Sequence, residues 1–172
     1  MSEKKNITKD LIREYLLDEG LLREKLPDPQ ASLEFGYAFS FPPGQNVQNM
    51  SVFKPKNKDF IIIIIRTQIS KQHIEALNSL KDNKKNQFFE DIRKFFIAKE
   101  VFFRIDPQNY RYEINHRIFL KKDGTISKNK FFNNIKQLFY CFMYANIMLN
   151  EYCAGKVKSS MGTPSFDFSL YS

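Results

Sequence analysis

The stretch Asp59-Phe60-Ile61-Ile62-Ile63-Ile64-Ile65-Arg66 decides the fold. Five consecutive β-branched residues after a phenylalanine are too few to cross a membrane. Branching at Cβ stiffens χ1 and packs well on a pleated surface, so the run reads as a strand. Side chains of a strand alternate between faces, which puts Ile61, Ile63 and Ile65 on one side and Phe60, Ile62 and Ile64 on the other. Burying one such side chain contributes roughly 1.5–3 kcal/mol, so leaving three of them wet would forfeit a large part of a domain's net stability. The strand is expected at the centre of a sheet with apolar cover above and below, and charged Asp59 and Arg66 mark its ends.

Upstream, Leu33, Phe35, Tyr37, Phe39 and Phe41 alternate with Glu34, Gly36, Ala38 and Ser40, a strand of period two over residues 33–41. Pro42-Pro43-Gly44-Gln45-Asn46 turns the chain, residues 47–54 form a less regular strand, and Pro55 to Lys58 turn into the isoleucine strand. Three strands on short turns make an antiparallel meander. Before it, residues 7–19 read as an amphipathic helix with Asn6 or Thr8 as N-cap, Leu11, Ile12, Tyr15 and Leu16 on one stripe, and Gly20 in the left-handed position after the last turn. Leu21, Leu22 and Leu26 lead as connecting chain to Pro27-Asp28-Pro29.

Downstream, Ser70 is placed to cap a helical region over 70–99, interrupted at the polar stretch 81–86. Its apolar positions are Ile74, Leu77 and Leu80, then Phe88, Phe89, Ile92, Phe95 and Phe96. Residues 101–105 and 110–120 form a hairpin around Asp106-Pro107-Gln108-Asn109. In its second strand Tyr112, Ile114, His116, Ile118 and Leu120 oppose Arg111, Glu113, Asn115, Arg117 and Phe119, so the hairpin has an apolar inner face and a basic outer one. Asp123-Gly124 marks a turn, and Ser127 caps a final helix from Lys128 to about Cys153. The middle of that helix is apolar nearly all round, which demands burial on more than one side. The expected architecture is a single α+β domain over 1–154 with a five-stranded antiparallel sheet and helices. Residues 155–172 are expected to form a mobile tail on which Phe166, Phe168, Leu170 and Tyr171 are the groups able to dock.

A chain of 172 residues with 18 Phe, 8 Tyr and no Trp has material for one aromatic and aliphatic core. Two cysteines, Cys141 and Cys153, cannot make a disulfide framework or a four-ligand zinc site. The N-terminus has no apolar run of the kind that directs secretion, and the longest apolar stretch is shorter than a membrane span, so a cytoplasmic location without membrane contact is expected. Net charge is +8, and residues 81–136 carry 14 basic and 7 acidic side chains, most of the excess.

The element order of helix, meander, helix, hairpin and long helix resembles the type III secretion chaperone-like fold, shared by YbjN-like proteins. Within that fold the chain is similar to a family of uncharacterised archaeal and bacterial proteins. The residues that carry the likeness are Phe60 to Ile65 leading through Ile69-Ser70 into a helix, and the basic strand and acidic-glycine turn Arg117 to Gly124 leading into the last helix. The resemblance implies a sheet packed by helices, frequent homodimers and binding of a peptide or protein partner. It implies no catalytic residues.

No phosphate loop, nucleophile elbow or zinc-protease pattern is present, and no enzymatic activity, metal or cofactor is expected. His73 and His116 lack a carboxylate, cysteine or second histidine at site spacing and read as a capping and a satisfied core histidine. Because the last helix is apolar around its middle, Phe139, Phe142, Met143 and Ile147 are the candidate surface for a homodimer or an unidentified protein partner. The alternative is nucleic-acid binding through Arg104, Arg111, Arg117, Lys121 and Lys122, where guanidinium groups lie beside aromatic rings.

Overall fold

In chain order the elements are α1 (Ser2–Asp18), β1 (Leu22–Lys25), β2 (Leu33–Phe41), β3 (Gln48–Pro55), β4 (Phe60–Gln68), α2 (Lys71–Ser79), α3 (Asp82–Ala98), β5 (Phe102–Asp106), β6 (Arg111–Phe119) and α4 (Lys128–Cys153). They are taken from a computed structural model, which describes residues 2–45 and 47–154, the side chains of 2–6 and 82 excepted. The expectation for residues 155–172 lies outside the described residues.

The strands form one antiparallel sheet in the order β1-β2-β3-β4-β6-β5. As its composition requires, β4 has a neighbour on each side: Val52 pairs with Ile63 in β3, and His116 pairs with Ile63 in β6. The sheet has six strands and not five. The added strand, β1, carries Arg23, Glu24 and Lys25, has no alternation, and exists through its bulged pairing with Phe39, Ala38 and Tyr37. The first helix starts at Ser2, which puts Asn6 and Thr8 inside it; Thr8 is no cap, and its buried hydroxyl donates to the Gly124 carbonyl at 2.6 Å. The polar stretch 81–86 does interrupt the helical region, but the break falls at Leu80-Lys81, and Asp82 to Asn86 open α3.

Gly20 has φ +66° after α1. The side chains of Ser70 and Ser127 accept from the amides of His73 and Lys130 as N-caps, which satisfies donors that a helix start leaves unpaired.

The core lies on one side of the sheet. Ile61, Ile63 and Ile65 are fully buried in a cluster with Ile12 and Leu16 of α1, Leu77 of α2, Phe96 of α3 and Leu138 of α4. Phe60, Ile62 and Ile64 are not part of that cluster. Among the described residues the helices therefore cover one face of the sheet and leave the other to the strands' own side chains.

Candidate interaction surfaces

Register determines what meets on the open face. Across the sheet, Ser51, Ile64, Asn115 and Phe102 stand in one row; Phe53, Ile62 and Arg117 in the next; Phe60 and Phe119 in a third. On the other side of the first row, Arg66, Glu113 and Arg104 stand together, followed by Gln68, Arg111 and Asp106. The face thus has an aromatic and aliphatic end and an arginine-rich end. Phe102 and Phe119 are 53% and 62% exposed, high values for rings that on the helical side would be sealed.

Two shallow clefts share Arg66 at the arginine end. One, of about 370 Å³, is bounded by Arg66, Arg104, Arg111 and Glu113. The other, of about 470 Å³, is bounded by Arg23, Ser40, Asn49 and Arg66. The charges are partly matched: Arg66 Nε lies 3.5 Å from Glu113 Oε2, and Arg111 Nε lies 3.0 Å from Asp106 Oδ2. Hydrogen bonds from Asn109, with further help from Arg111, hold the Asp106 carboxyl below its ordinary pKa. The Arg117 guanidinium lies 4.9 Å from the Phe102 ring centroid and 5.7 Å from that of Phe60, within the range of cation–π attraction.

Of the nucleic-acid candidates, Arg104, Arg111 and Arg117 are brought together on this face. Lys121 and Lys122 stand in the turn after β6, four and five residues beyond Arg117, with the nine-residue strand, roughly 30 Å long, between them and Arg111. Arg66, from β4, joins the group although sequence spacing alone did not single it out.

The second surface is the outward side of α4. Of the four residues expected there, Ile147 is exposed, while Phe139, Phe142 and Met143 are half-buried. Phe139 makes an edge contact with Phe41 at 5.3 Å between centroids, and Phe142 leans on the core. Tyr140 and Tyr144 extend the exposed stripe at four-residue spacing, and Tyr144 stacks on Phe95 of α3 at 4.2 Å. Between α3 and α4 runs a groove of about 900 Å³ walled by these rings and by Lys99 and Lys136. Both tyrosines belong to the apolar girdle around the middle of this helix that the sequence leaves in need of cover, and both are exposed.

Several other titratable groups are held by neighbours within the fold. His73 is satisfied on both ring nitrogens, by Ser70 Oγ at 2.7 Å and Asn150 Oδ1 at 2.8 Å. His116 departs in part from the expectation of a satisfied histidine: it stands opposite Ile63 in the register, a hydrogen bond to the Gln137 side chain serves the ring, and its Nε2 is buried without a partner. Burial lowers its pKa, and the nearby Gln137 side chain opposes that shift. Cys141 and Cys153 are free and buried, and burial raises both thiols. Tyr152 is pushed up to about 12 by burial and by donating to Asp91 at 2.5 Å. Among the described residues no group of His, Cys, Asp and Glu could hold a metal ion, and no helix is long and apolar enough to cross a membrane.

Helices on one side of an antiparallel sheet and an open, partly apolar face on the other define a small α+β module. The chain belongs to the family described as "Uncharacterized conserved protein (DUF2299)", whose model matches residues 8–149. It is similar to the crystal structure of an uncharacterized protein from Methanothermobacter thermautotrophicus, with a TM-score of 0.74 and 24% identity over 84% of this chain and 97% of that one, which shows a common fold. The crystal structure of the ExsC-ExsE complex is more distant, with a TM-score of 0.48 and 12% identity over 82% of this chain and 95% of that one. No curated protein matches the chain. Apart from β1, the order of helices and strands is the one that the resemblance to the type III secretion chaperone-like fold implies.

Proposed function

We propose that the protein is a non-enzymatic interaction module that binds a protein partner on the open face of its sheet and pairs with a second copy of itself along α4. The observation that carries the first part is the exposure of Phe102 and Phe119 beside Ile62 and Phe60, on a face that none of the described helices covers. Exposed apolar surface of this kind, rimmed by charge, is the usual mark of a docking site. The exposed row of Tyr140, Tyr144 and Ile147 supports the second part, since a two-fold axis through α4 would bury the same patch twice.

Recovery of the protein from its native cells, with and without nuclease, tests the partner reading. A bound protein that survives nuclease and is lost with Phe119→Asp is expected. Material that disappears on nuclease treatment would replace this reading with nucleic-acid binding. Light scattering tests the pairing: a mass twice the 20.4 kDa chain is expected, falling to one chain with Ile147→Asp. A single-chain mass for the unaltered protein at micromolar concentration refutes the pairing.

A further inference from the structure

Along the β5–β6 hairpin the open face presents Arg104, Phe102, Arg117 and Phe119 in that order, each one register row beyond the last. Arg104 lies opposite Glu113, Phe102 lies opposite Asn115, and Arg117 and Phe119 continue along β6. Each row is two residues along the strand, roughly 6.6 Å, the spacing at which an extended chain presents side chains on one side. Cation and ring alternate. Among the described residues neither Arg104 nor Arg117 has a carboxylate partner, whereas Arg66 and Arg111 do. Arg117 is also held in place, its guanidinium lying against the rings of Phe102 and Phe60. A fixed planar fork with free donors is suited to a carboxylate, and less of its motion remains to be lost on binding.

The geometry points to an extended, acidic polypeptide segment as the ligand of this face, with carboxylate and apolar side chains alternating at every second residue. Its carboxylates meet Arg104 and Arg117, about 13 Å apart, and its apolar side chains rest on Phe102 and Phe119. This inference rests on the partner-binding reading above and adds the chemistry of the partner. The charge pattern favours a polypeptide over a nucleic acid. Glu113 stands between Arg66 and Arg104 and Asp106 opposite Arg111 on the same face, and a continuous phosphate chain along the arginines would run over them. A polypeptide carries charge only where its sequence puts it.

The test is fluorescence anisotropy on the full chain with a labelled peptide Asp-Thr-Leu-Thr-Asp-Thr-Phe-Thr. The comparisons are the same peptide with Lys for Asp and a labelled fifteen-residue oligo(dT). Saturable binding of the acidic peptide is expected, at least tenfold tighter than that of the basic peptide and weakened by salt. Arg104→Gln with Arg117→Gln should lower the affinity at least tenfold with an unchanged melting temperature. Arg117→Lys should not restore it, because the ammonium lacks the planar fork. Lys121→Ala with Lys122→Ala serves as the control and should change nothing. Equal binding of acidic and basic peptides, abolished by Phe119→Ala, would overturn the charge rule while leaving an interaction face. Tighter binding of oligo(dT) than of the acidic peptide would overturn the inference in favour of a polyanion site. Failure of both peptides to bind, while the native protein partner of the preceding section still binds and is lost with Phe119→Asp, would overturn the extended-segment geometry alone.

Discussion

Ile62 and Ile63 are neighbours on one strand, identical in chemistry and opposite in surroundings, and truncating each to Ala measures how closed the two faces are. Ile63 is 0% exposed beneath α4. Its loss removes three carbons at about 0.8 kcal/mol each, some 2.4 kcal/mol of transfer free energy. An enclosed cavity adds to that, bringing the expected cost to about 3.5 kcal/mol, within the range for buried Ile→Ala. Ile62 is half-buried and outside the core cluster. It should lose about half the transfer contribution and leave no sealed void, a cost of about 1.2 kcal/mol. With a urea m-value of about 2 kcal/mol/M, the midpoints should fall by about 1.7 M and 0.6 M at unchanged slope. Urea titrations followed by circular dichroism at two protein concentrations read both numbers. Equal shifts for the two variants would show that the second face is as firmly sealed as the first, and the case for an open docking surface would collapse.

Thr8→Val should cost about 1–2 kcal/mol, because it leaves the Gly124 carbonyl without its buried donor; a melting temperature equal to that of the unaltered protein would refute this anchoring. Tyr112→Phe should change stability by less than about 1 kcal/mol, since the buried Tyr112 hydroxyl has only the Thr67 hydroxyl, its register neighbour, beside it; a loss above about 1 kcal/mol in urea would reveal a firm hydrogen bond there. The His116 pKa is lowered from its ordinary 6.5 mainly by burial, so the unfolded chain takes up the proton first as the pH falls. The contribution is fully present above pH 6.5 and is lost as the pH drops through the folded value. His116→Gln should therefore flatten the stability profile between pH 7 and pH 5; parallel profiles for the two proteins would contradict the assignment.

Much of this fold is legible in the residues because local pattern and tertiary burial agree. The alternation from Leu33 to Phe41 and the apolar steps from Phe131 to Tyr152 give β2 and α4 at their observed bounds, near enough at both ends for the caps and turns to be named. β1 escapes because nothing in Leu22-Arg23-Glu24-Lys25 prefers an extended chain; the edge of β2 imposes it. The start of α1 escapes for a similar reason, since Ser2 to Asn6 carry no apolar periodicity. The candidate surface was half visible. Period two in β6 separates Arg111 and Arg117 from the core, but the company of Arg66, Phe53 and Ile62 depends on strand order and register, which no single strand contains. Exposure of Tyr140 and Tyr144 depends on how far α3 reaches across α4, a matter of packing distance that spacing along the chain does not encode.

The two neighbours of β4 reach it on different schedules. β3 is joined to it by a tight turn, while the β6 pairings link Gln68 to Arg111 and Phe60 to Phe119, 43 and 59 residues apart. During synthesis at roughly 5–20 residues per second, the ribosome delivers Phe60 to Ile65 several seconds before the strand that will flank it. For that interval a six-residue stretch without charge, proline or glycine offers a bare row of backbone groups, the composition from which amyloid zippers are built. A nascent chain stalled short of residue 111 carries this hazard permanently. Lesions in the β5–β6 hairpin should accordingly be felt as lost yield and insoluble product before any change in the behaviour of the molecules that finish folding.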